Sequence, residues 1–377
     1  MRGICMALWL VSHTGLAAAS LTPRLGLVAE ERYDDDELLR QSGSTAGQLR
    51  TRLTSRLGLD LKAPTLVAKS WYAADLLLHH GSGSVKVDHR GELEARKRLS
   101  RQTSIGSRVE LWRVSDPTSL PRFGVARSLS PILYARALAE GELTPARRWA
   151  LLGQYRFEGA RVYDEVGRSG WMHGPSVEAS YALFARARVG AAYRYQYFAD
   201  AASTAQAHSA LATFLYRVSR QTRVAVRGGP TYFSGADVAE RGALPQVALE
   251  LGRDGRFVDL TLTAGQELVG ASGFGSALWA QYAQGVAGWR PAARLNLFGA
   301  VSYFRNGRAP HLGLNPFGPP VPSTYEGYTL AAGVEWQLHS TLSLGASFDR
   351  FSQVGGGVEG GELTRNIVGA RLSVTPF

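Results

Sequence analysis

The segment richest in nucleophile and base side chains is His79-His80-Gly81-Ser82-Gly83-Ser84. A serine hydrolase requires a base within hydrogen-bond reach of its serine and an acid that orients the base. The Gly-Ser-Gly-Ser run is more typical of a flexible turn, and His208 and Ser209 are adjacent on an alternating segment, where neighbouring side chains point to opposite faces. Two histidines near Asp75 and Asp88, without a cysteine, make a poor metal site. We therefore predict a protein without catalytic residues, bound metal or cofactor.

Basic residues recur at every second position in several segments, with leucine, valine or alanine between many of them. Those assigned to the polar face are Arg50, Arg52, Arg56, Lys86, Arg90, Arg96, Arg98, Arg108, Arg148 and Arg156. The rigid donor fork of arginine suits carboxylates, phosphates and sugar hydroxyls, so this face is predicted to guide anionic solutes or polysaccharide. The alternative is that these residues pair with acids on neighbouring strands and only stabilise the sheet.

Alternation with period two dominates residues 24–377, in segments of roughly 12 to 16 residues separated by Gly, Pro, Asp, Asn and Ser. Strands of globular domains usually have about 5 to 6 residues, whereas crossing a bilayer at a tilt takes about 9 to 11. The pattern predicts an all-β fold, a transmembrane antiparallel up-and-down β-barrel of about 18 strands, within a range of roughly 16 to 18. Pro131 and Pro230 fall inside the predicted strands 122–139 and 222–234, and indicate either bulges or merged elements.

The amino terminus has the three parts of a secretory signal: a basic start at Arg2, an apolar stretch and the small residues Ala17, Ala18 and Ala19. We predict a signal peptide over residues 1–19 and a single barrel domain over residues 20–377. The only cysteine, Cys5, lies in that signal. The exported chain is therefore expected to contain no disulfide.

Aromatic residues suggest two roles. Trp71, Tyr72, Tyr193, Tyr195, Tyr197, Trp279, Tyr282, Tyr303, Tyr325 and Tyr328 are expected to form girdles at the membrane interfaces. Trp112, Phe198, Phe298 and Phe304 share the parity of the polar face instead. They are candidates for a sugar-stacking track inside the barrel.

The last twelve residues, 366–377, resemble the terminal strand of bacterial outer-membrane β-barrels, which ends in phenylalanine and is recognised by the barrel-insertion machinery. The residues that carry this resemblance are Gly369, Leu372, Val374 and Phe377, although Phe377 is out of phase with Leu372 and Val374. A signal peptide followed by about 18 long strands also resembles porin-type barrels, including those that accompany exopolysaccharide secretion systems. The resemblance implies outer-membrane lipid, lipopolysaccharide and the barrel-assembly machinery as partners, with polysaccharide-export components as further candidates.

The sequence thus predicts a non-catalytic channel in the cell outer membrane, with both termini in the periplasm and a basic lumen. The formal net charge of +11 agrees with that lumen, and the spread of basic residues along the chain argues against nucleic acid binding. A proline-rich segment, 306–323, is the candidate constriction loop; its prolines are Pro310, Pro316, Pro319, Pro320 and Pro322. The alternative is a barrel with a plugged interior that acts as a structural protein or a membrane-embedded hydrolase.

Overall fold

The fold was analysed in a computed structural model, which describes residues 19–35, 47–115, 131–163, 169–200, 204–235, 241–270, 277–308, 325–355 and 362–375. The described residues form 18 strands: β1 Ser20–Asp34, β2 Gln48–Lys62, β3 Leu66–His79, β4 Ser84–Arg98, β5 Thr103–Val114, β6 Ile132–Ala146, β7 Trp149–Val162, β8 Gly170–Phe184, β9 Ala187–Asp200, β10 Thr204–Arg217, β11 Thr222–Gly235, β12 Arg241–Asp254, β13 Val258–Gly270, β14 Ala277–Ala292, β15 Leu295–Arg308, β16 Tyr325–His339, β17 Leu342–Gly355 and β18 Glu362–Val374. Across these ranges, no helix is both long and apolar enough to span a bilayer.

Each strand pairs in antiparallel fashion with the next strand in the chain, and β1 pairs with β18. The sheet is therefore closed on itself, so that no long edge strand is left over. The predicted fold, an all-β up-and-down barrel of about 18 strands, is confirmed.

Connections at one end of the barrel, here called the short-turn end, have two to four residues. Both β1 and β18 have their chain-terminal ends on this side. Ser-Arg-Gln-Thr forms two of these turns, and in each the serine hydroxyl, of Ser100 or Ser219, accepts hydrogen bonds from the backbone N–H groups two and three residues later. We call the opposite side the long-loop end, because most of the connections between consecutive strands there have five or more residues.

Prolines lie at or near several limits of the strands that the structure describes. β6 begins at Ile132, directly after Pro131, and residues 122–130 of the predicted strand lie outside the described residues. The last strand ends at Val374, before Pro376. Pro230 does lie inside β11, where it is opposite Pro245 of β12, and the ladder to β10 is interrupted beside it between Thr231 and Gly228. A proline has no N–H to donate to a neighbouring strand, which agrees with the interruption of backbone pairing beside Pro230.

The two faces of the wall differ sharply in chemistry. The outer face exposes aliphatic side chains along most strands, among them Leu25, Leu27, Leu53, Leu57, Val87, Val109, Leu249, Val301, Leu344 and Leu372. The inner face holds most of the charged residues and, near the long-loop end, three clusters of buried apolar side chains. This distribution reverses that of a soluble sandwich, where apolar side chains lie inside.

Candidate functional site: the inner wall

A cavity along the inner face of β18, β1, β2, β3 and β4 concentrates basic side chains. We call this surface the basic wall; its cations are Arg24, Arg32, Arg52, Arg56, Lys69, Arg90 and Arg371, and its acids are Glu30, Asp60, Glu92 and Glu94. These residues come together because side chains of one parity share a face and the ladder register keeps that face continuous from strand to strand.

Asp75 of β3 lies behind the basic wall and is the centre of an ion-pair cluster with two cations of that wall, Arg52 and Arg90. Its side chain is completely buried, and its two carboxylate oxygens accept a bond of 2.6 Å from Arg52, bonds of 2.8 and 3.0 Å from Arg90, and one of 2.5 Å from the Thr54 hydroxyl. Both arginines are less than a third exposed. Two strands, β2 and β4, are thereby joined through the carboxylate of β3.

Several other cations of the wall are also compensated. Arg24 bonds Asp60 at 2.5 Å, and Arg32 bonds Glu30 at 2.8 Å. Arg371 lies 3.5 Å from Glu335. Only Arg24 and Asp60 join two adjacent strands, β1 and β2, as the alternative interpretation of the sequence expects; Glu30 and Arg32 both belong to β1, and Glu335 and Arg371 belong to β16 and β18.

Arg56 and Lys69 differ from the rest of the basic wall. Both side chains are exposed to the lumen, and neither has an acid within 4 Å among the residues that the structure describes. The Arg56 guanidinium lies 4.4 Å from the ring centroid of Trp71, whose indole N–H donates to Glu92 at 3.0 Å. A cation held on an aromatic face keeps its N–H edge free for an anion.

Nine of the ten predicted basic residues lie on strands at inner-face positions, and Arg148 does not. Arg148 belongs to the two-residue turn between β6 and β7, where the alternation of the strand no longer applies. Acid partners hold Arg96 through Glu142 at 3.0 Å, Arg108 through Glu110 at 2.9 Å, and Arg156 through Glu158 at 2.6 Å. Arg50 is buried, while Lys86 and Arg98 are exposed. Arg24, Arg32 and Arg371 were missed, although their alternation with Leu25, Leu27 and Leu372 carries the same signal.

The aromatic residues predicted to form girdles do not all lie on one face of the barrel. Tyr72, Tyr193 and Tyr303 are half exposed on the outer face. Trp71 points inward to Arg56 and Glu92, and Tyr282 points inward and donates to Glu267 at 3.2 Å. Adjacent residues on a strand have opposite faces, so Trp71 and Tyr72 were never able to share a girdle.

The candidate nucleophile Ser82 and the candidate base His80 bond different residues. Ser82 bonds the Ser84 hydroxyl at 2.8 Å, whereas His80 contacts Thr51 at 2.7 Å and Glu31 at 3.5 Å. Ser82 thus stabilises its own turn. In the described ranges, no three His, Cys, Asp or Glu residues group as metal ligands would.

Some of the remaining predicted residues lie on the last strand, β18, and the others lie outside the residues that the structure describes. Gly369 is on the inner face of β18, beside Arg32 and Ser347, and Leu372 is exposed on the outer face. Val374 is the last residue of β18. The five prolines of the candidate constriction loop, Phe377, and residues 1–18 of the predicted signal peptide fall outside the described residues.

No protein-family model and no curated protein matches the chain. Among solved structures, OpdO of Pseudomonas aeruginosa is 10% identical with a TM-score of 0.47, and covers 95% of this chain and 98% of its own. The outer membrane channel DcaP of Acinetobacter baumannii is 11% identical with a TM-score of 0.45, over 95% and 98% of the two chains. Pseudomonas aeruginosa OpdL is 12% identical with a TM-score of 0.43, over 95% and 99%. All three likenesses are distant.

Proposed function

We propose that the protein is a channel of the bacterial outer membrane that passes small anionic solutes along its basic wall. The closed ladder pairs every strand of the wall with a neighbour on each side, and the hydrocarbon region of a bilayer demands such internal backbone hydrogen bonding. The aliphatic outer face supplies the matching surface for lipid. The first residue of β1 and the last residue of β18 lie at the short-turn end, which suits a barrel whose short turns face the periplasm.

The observation that carries the anionic preference is the pair of exposed cations, Arg56 and Lys69, without an acid within 4 Å in the described ranges. They lie beside arginines of the same wall that are paired with Asp75 or Asp60. A carboxylate or phosphate moving along this wall meets two free cations. It does not first have to displace an internal acid.

The inner aromatic residues favour small solutes over a polysaccharide. Phe198 and Phe304 are completely enclosed in apolar clusters, and Trp112 packs against another cluster. Among the four candidates for a stacking track, only Phe298 is exposed, at 38%. A sugar chain that moves by stacking needs successive open ring faces, which these side chains do not provide.

The test is ion selectivity in planar lipid bilayers. For the wild-type protein under a KCl gradient, we expect a reversal potential whose sign shows that chloride permeates more readily than potassium. In the variant with Arg56→Gln and Lys69→Gln, the chloride-to-potassium permeability ratio should fall roughly two-fold or more. The matched control, Lys97→Gln with Arg113→Gln, removes the same charge from outer-face positions of β4 and β5 and should leave the ratio unchanged.

Three results would contradict the proposal. Absence of conductance from correctly folded protein would exclude a channel. Cation preference in the wild type would exclude the anionic solute. An equal fall in both double variants would show that long-range charge, and not Arg56 and Lys69, sets selectivity.

A further inference from the structure

Alternating burial breaks down at the long-loop end of β14. Leu278, Trp279 and Ala280 are consecutive residues, and their exposed fractions are 7%, 3% and 0%. In a barrel wall, only every second side chain of a strand faces the interior, and the others face outward. Three buried neighbours therefore show that this part of β14 is covered on both faces.

The wall opens between β12 and β13 at the same level. The ladder between these strands ends at the pair Val247 and Gln266, although both strands continue further toward the long-loop end. The Gln266 side-chain amide donates to the Pro245 carbonyl at 2.7 Å, where backbone pairing has stopped. Beyond this point, β13 is free to leave the plane of the wall.

The end of β13 turns into the barrel. β8 and β13 have Cα atoms within 8 Å of each other, although four strands separate them in the sheet order. Along a flat sheet, five strand spacings would place them about 24 Å apart. The ends of β13 and β14 remain paired with each other, as Leu268 lies opposite Trp279. The paired ends of β13 and β14 therefore both bend toward the barrel interior.

We call residues 267–269 and 278–280 the hairpin tip. On one side, Leu268 and Trp279 belong to a buried cluster with Met172, Phe198, Phe233 and Leu244, which line the inner face of β8, β9, β11 and β12. On the other side, Val269 and Leu278 pack with Phe304 of β15 and Phe351 of β17. The hairpin tip is thus enclosed by inner-wall side chains on both of its faces.

A polar network fixes the base of the hairpin tip. The Glu267 carboxylate accepts hydrogen bonds from Gln246 at 3.3 Å and Tyr282 at 3.2 Å, and it lies 3.6 Å from Arg194 and 4.0 Å from Arg227. The part of the barrel interior enclosed by strands β8 to β13 is here called the lobe. Arg194 belongs to β9, so the carboxylate of β13 reaches across this lobe. Gln246 is bonded in turn to Thr231 and, through it, to Ser209. These three side chains are at most 1% exposed.

We infer that the hairpin tip, with Trp279 at its centre, is the constriction of the channel, and that it closes the lobe between β8 and β13 so that solutes pass only along the basic wall. This inference rests on the proposed channel function and deepens it, since it names the part of the chain that limits solute size. Apolar packing on both faces and ion pairs at the base make this a rigid constriction. The basic wall, on β18 and β1 to β4, lies on the opposite part of the barrel.

Single-channel conductance tests the constriction. Trp279→Ala removes the indole that fills the lobe, and conductance should rise about 1.5-fold or more because the open cross-section grows. Trp289→Ala is the matched control, since Trp289 lies on the same strand with 52% of its surface exposed on the outer face. Folding of both variants is checked by the heat-dependent shift of the barrel in electrophoresis. Equal conductance of Trp279→Ala, Trp289→Ala and wild type would overturn the inference.

Thiol accessibility tests the route without altering the hairpin tip. In a Cys5→Ser background, Ser209→Cys places a thiol in the closed lobe, and Ser373→Cys places one on the basic wall. A charged methanethiosulfonate reagent should block current through Ser373→Cys and modify Ser209→Cys at least about 100-fold more slowly, since thiol reactivity requires exposure. Similar rates at both positions would overturn the closed lobe. If folded wild-type protein conducts no current while the modification pattern is as expected, the channel proposal fails and the packing of the lobe stands.

Discussion

Replacement of Asp75 by asparagine removes the negative charge that holds two arginines on the inner wall. The wild-type carboxylate is completely buried and receives bonds from Arg52, Arg90 and Thr54. Asparagine has nearly the same shape but offers only one acceptor oxygen and no charge. The side chains of Arg52 and Arg90, 15% and 28% exposed, would then lie next to each other without a counter-ion.

The expected loss of stability follows from this geometry. Breaking a buried ion pair by removing one partner costs about 3 to 5 kcal/mol. Because both arginines keep some contact with lumen water, we expect a smaller loss than in a fully buried pair, about 2 to 4 kcal/mol. The same substitution frees two cations beside Arg56, so the chloride preference that we propose should increase.

The measurement is equilibrium unfolding in urea, followed by tryptophan fluorescence of protein in lipid vesicles, with reversibility established first. Glu94→Gln is the control, because Glu94 is an exposed carboxylate of the neighbouring strand and has no cation within 4 Å in the described part of the chain. It should change stability by less than about 0.5 kcal/mol. A double-mutant cycle with Arg52→Gln should give a coupling of about 1 kcal/mol or more, since removing one cation relieves the repulsion.

A loss smaller than about 0.5 kcal/mol in Asp75→Asn would refute the reasoning, as would an Arg52 cycle without coupling. Either result would mean that lumen water screens the cluster as it screens a surface salt bridge. The burial of Asp75 would then have no energetic consequence. An unchanged chloride preference would further show that Arg52 and Arg90 do not act on passing ions.

Two further predictions concern the wall itself. Gly229→Ala should greatly reduce the fraction of protein that reaches the folded barrel, because a Cβ atom there would lie 2.0 Å from the Ala210 carbonyl oxygen. Gly141→Ala is the control, and it should fold normally because the space around Gly141 is open. Heat-dependent electrophoretic mobility distinguishes the folded from the unfolded protein. Arg365→Met leaves Asp34 buried without its bidentate partner between β18 and β1, and should cost about 3 to 5 kcal/mol in the urea assay. Arg371 forms a half-exposed ion pair with Glu335 at 3.5 Å, so Arg371→Met should lower the free energy of unfolding by only about 0 to 1 kcal/mol. Similar losses of stability in both variants would contradict a special role for the ion pair that joins β1 and β18.

The alternation of side chains was enough to predict the architecture. In residues 48–61, leucines at odd positions and arginines at even positions require a strand with one apolar and one charged face, and such segments recur often enough to form about 18 strands. The same parity correctly placed Arg50, Arg52, Arg56 and Arg90 on one face with each other. It failed where the chain is not a strand, as at Arg148 in its two-residue turn.

Only the tertiary structure decided which cations are free and where the interior is closed. Arg52 and Arg56 have the same residue type and parity, yet Arg52 is bound to Asp75 of the next strand and Arg56 is stacked on Trp71. Trp279 has the parity of an outward residue, and it becomes buried because the ladder between β12 and β13 ends early. Alternation is a local property of one strand, whereas ion pairing and the inward turn of the hairpin tip depend on register between strands distant in the chain.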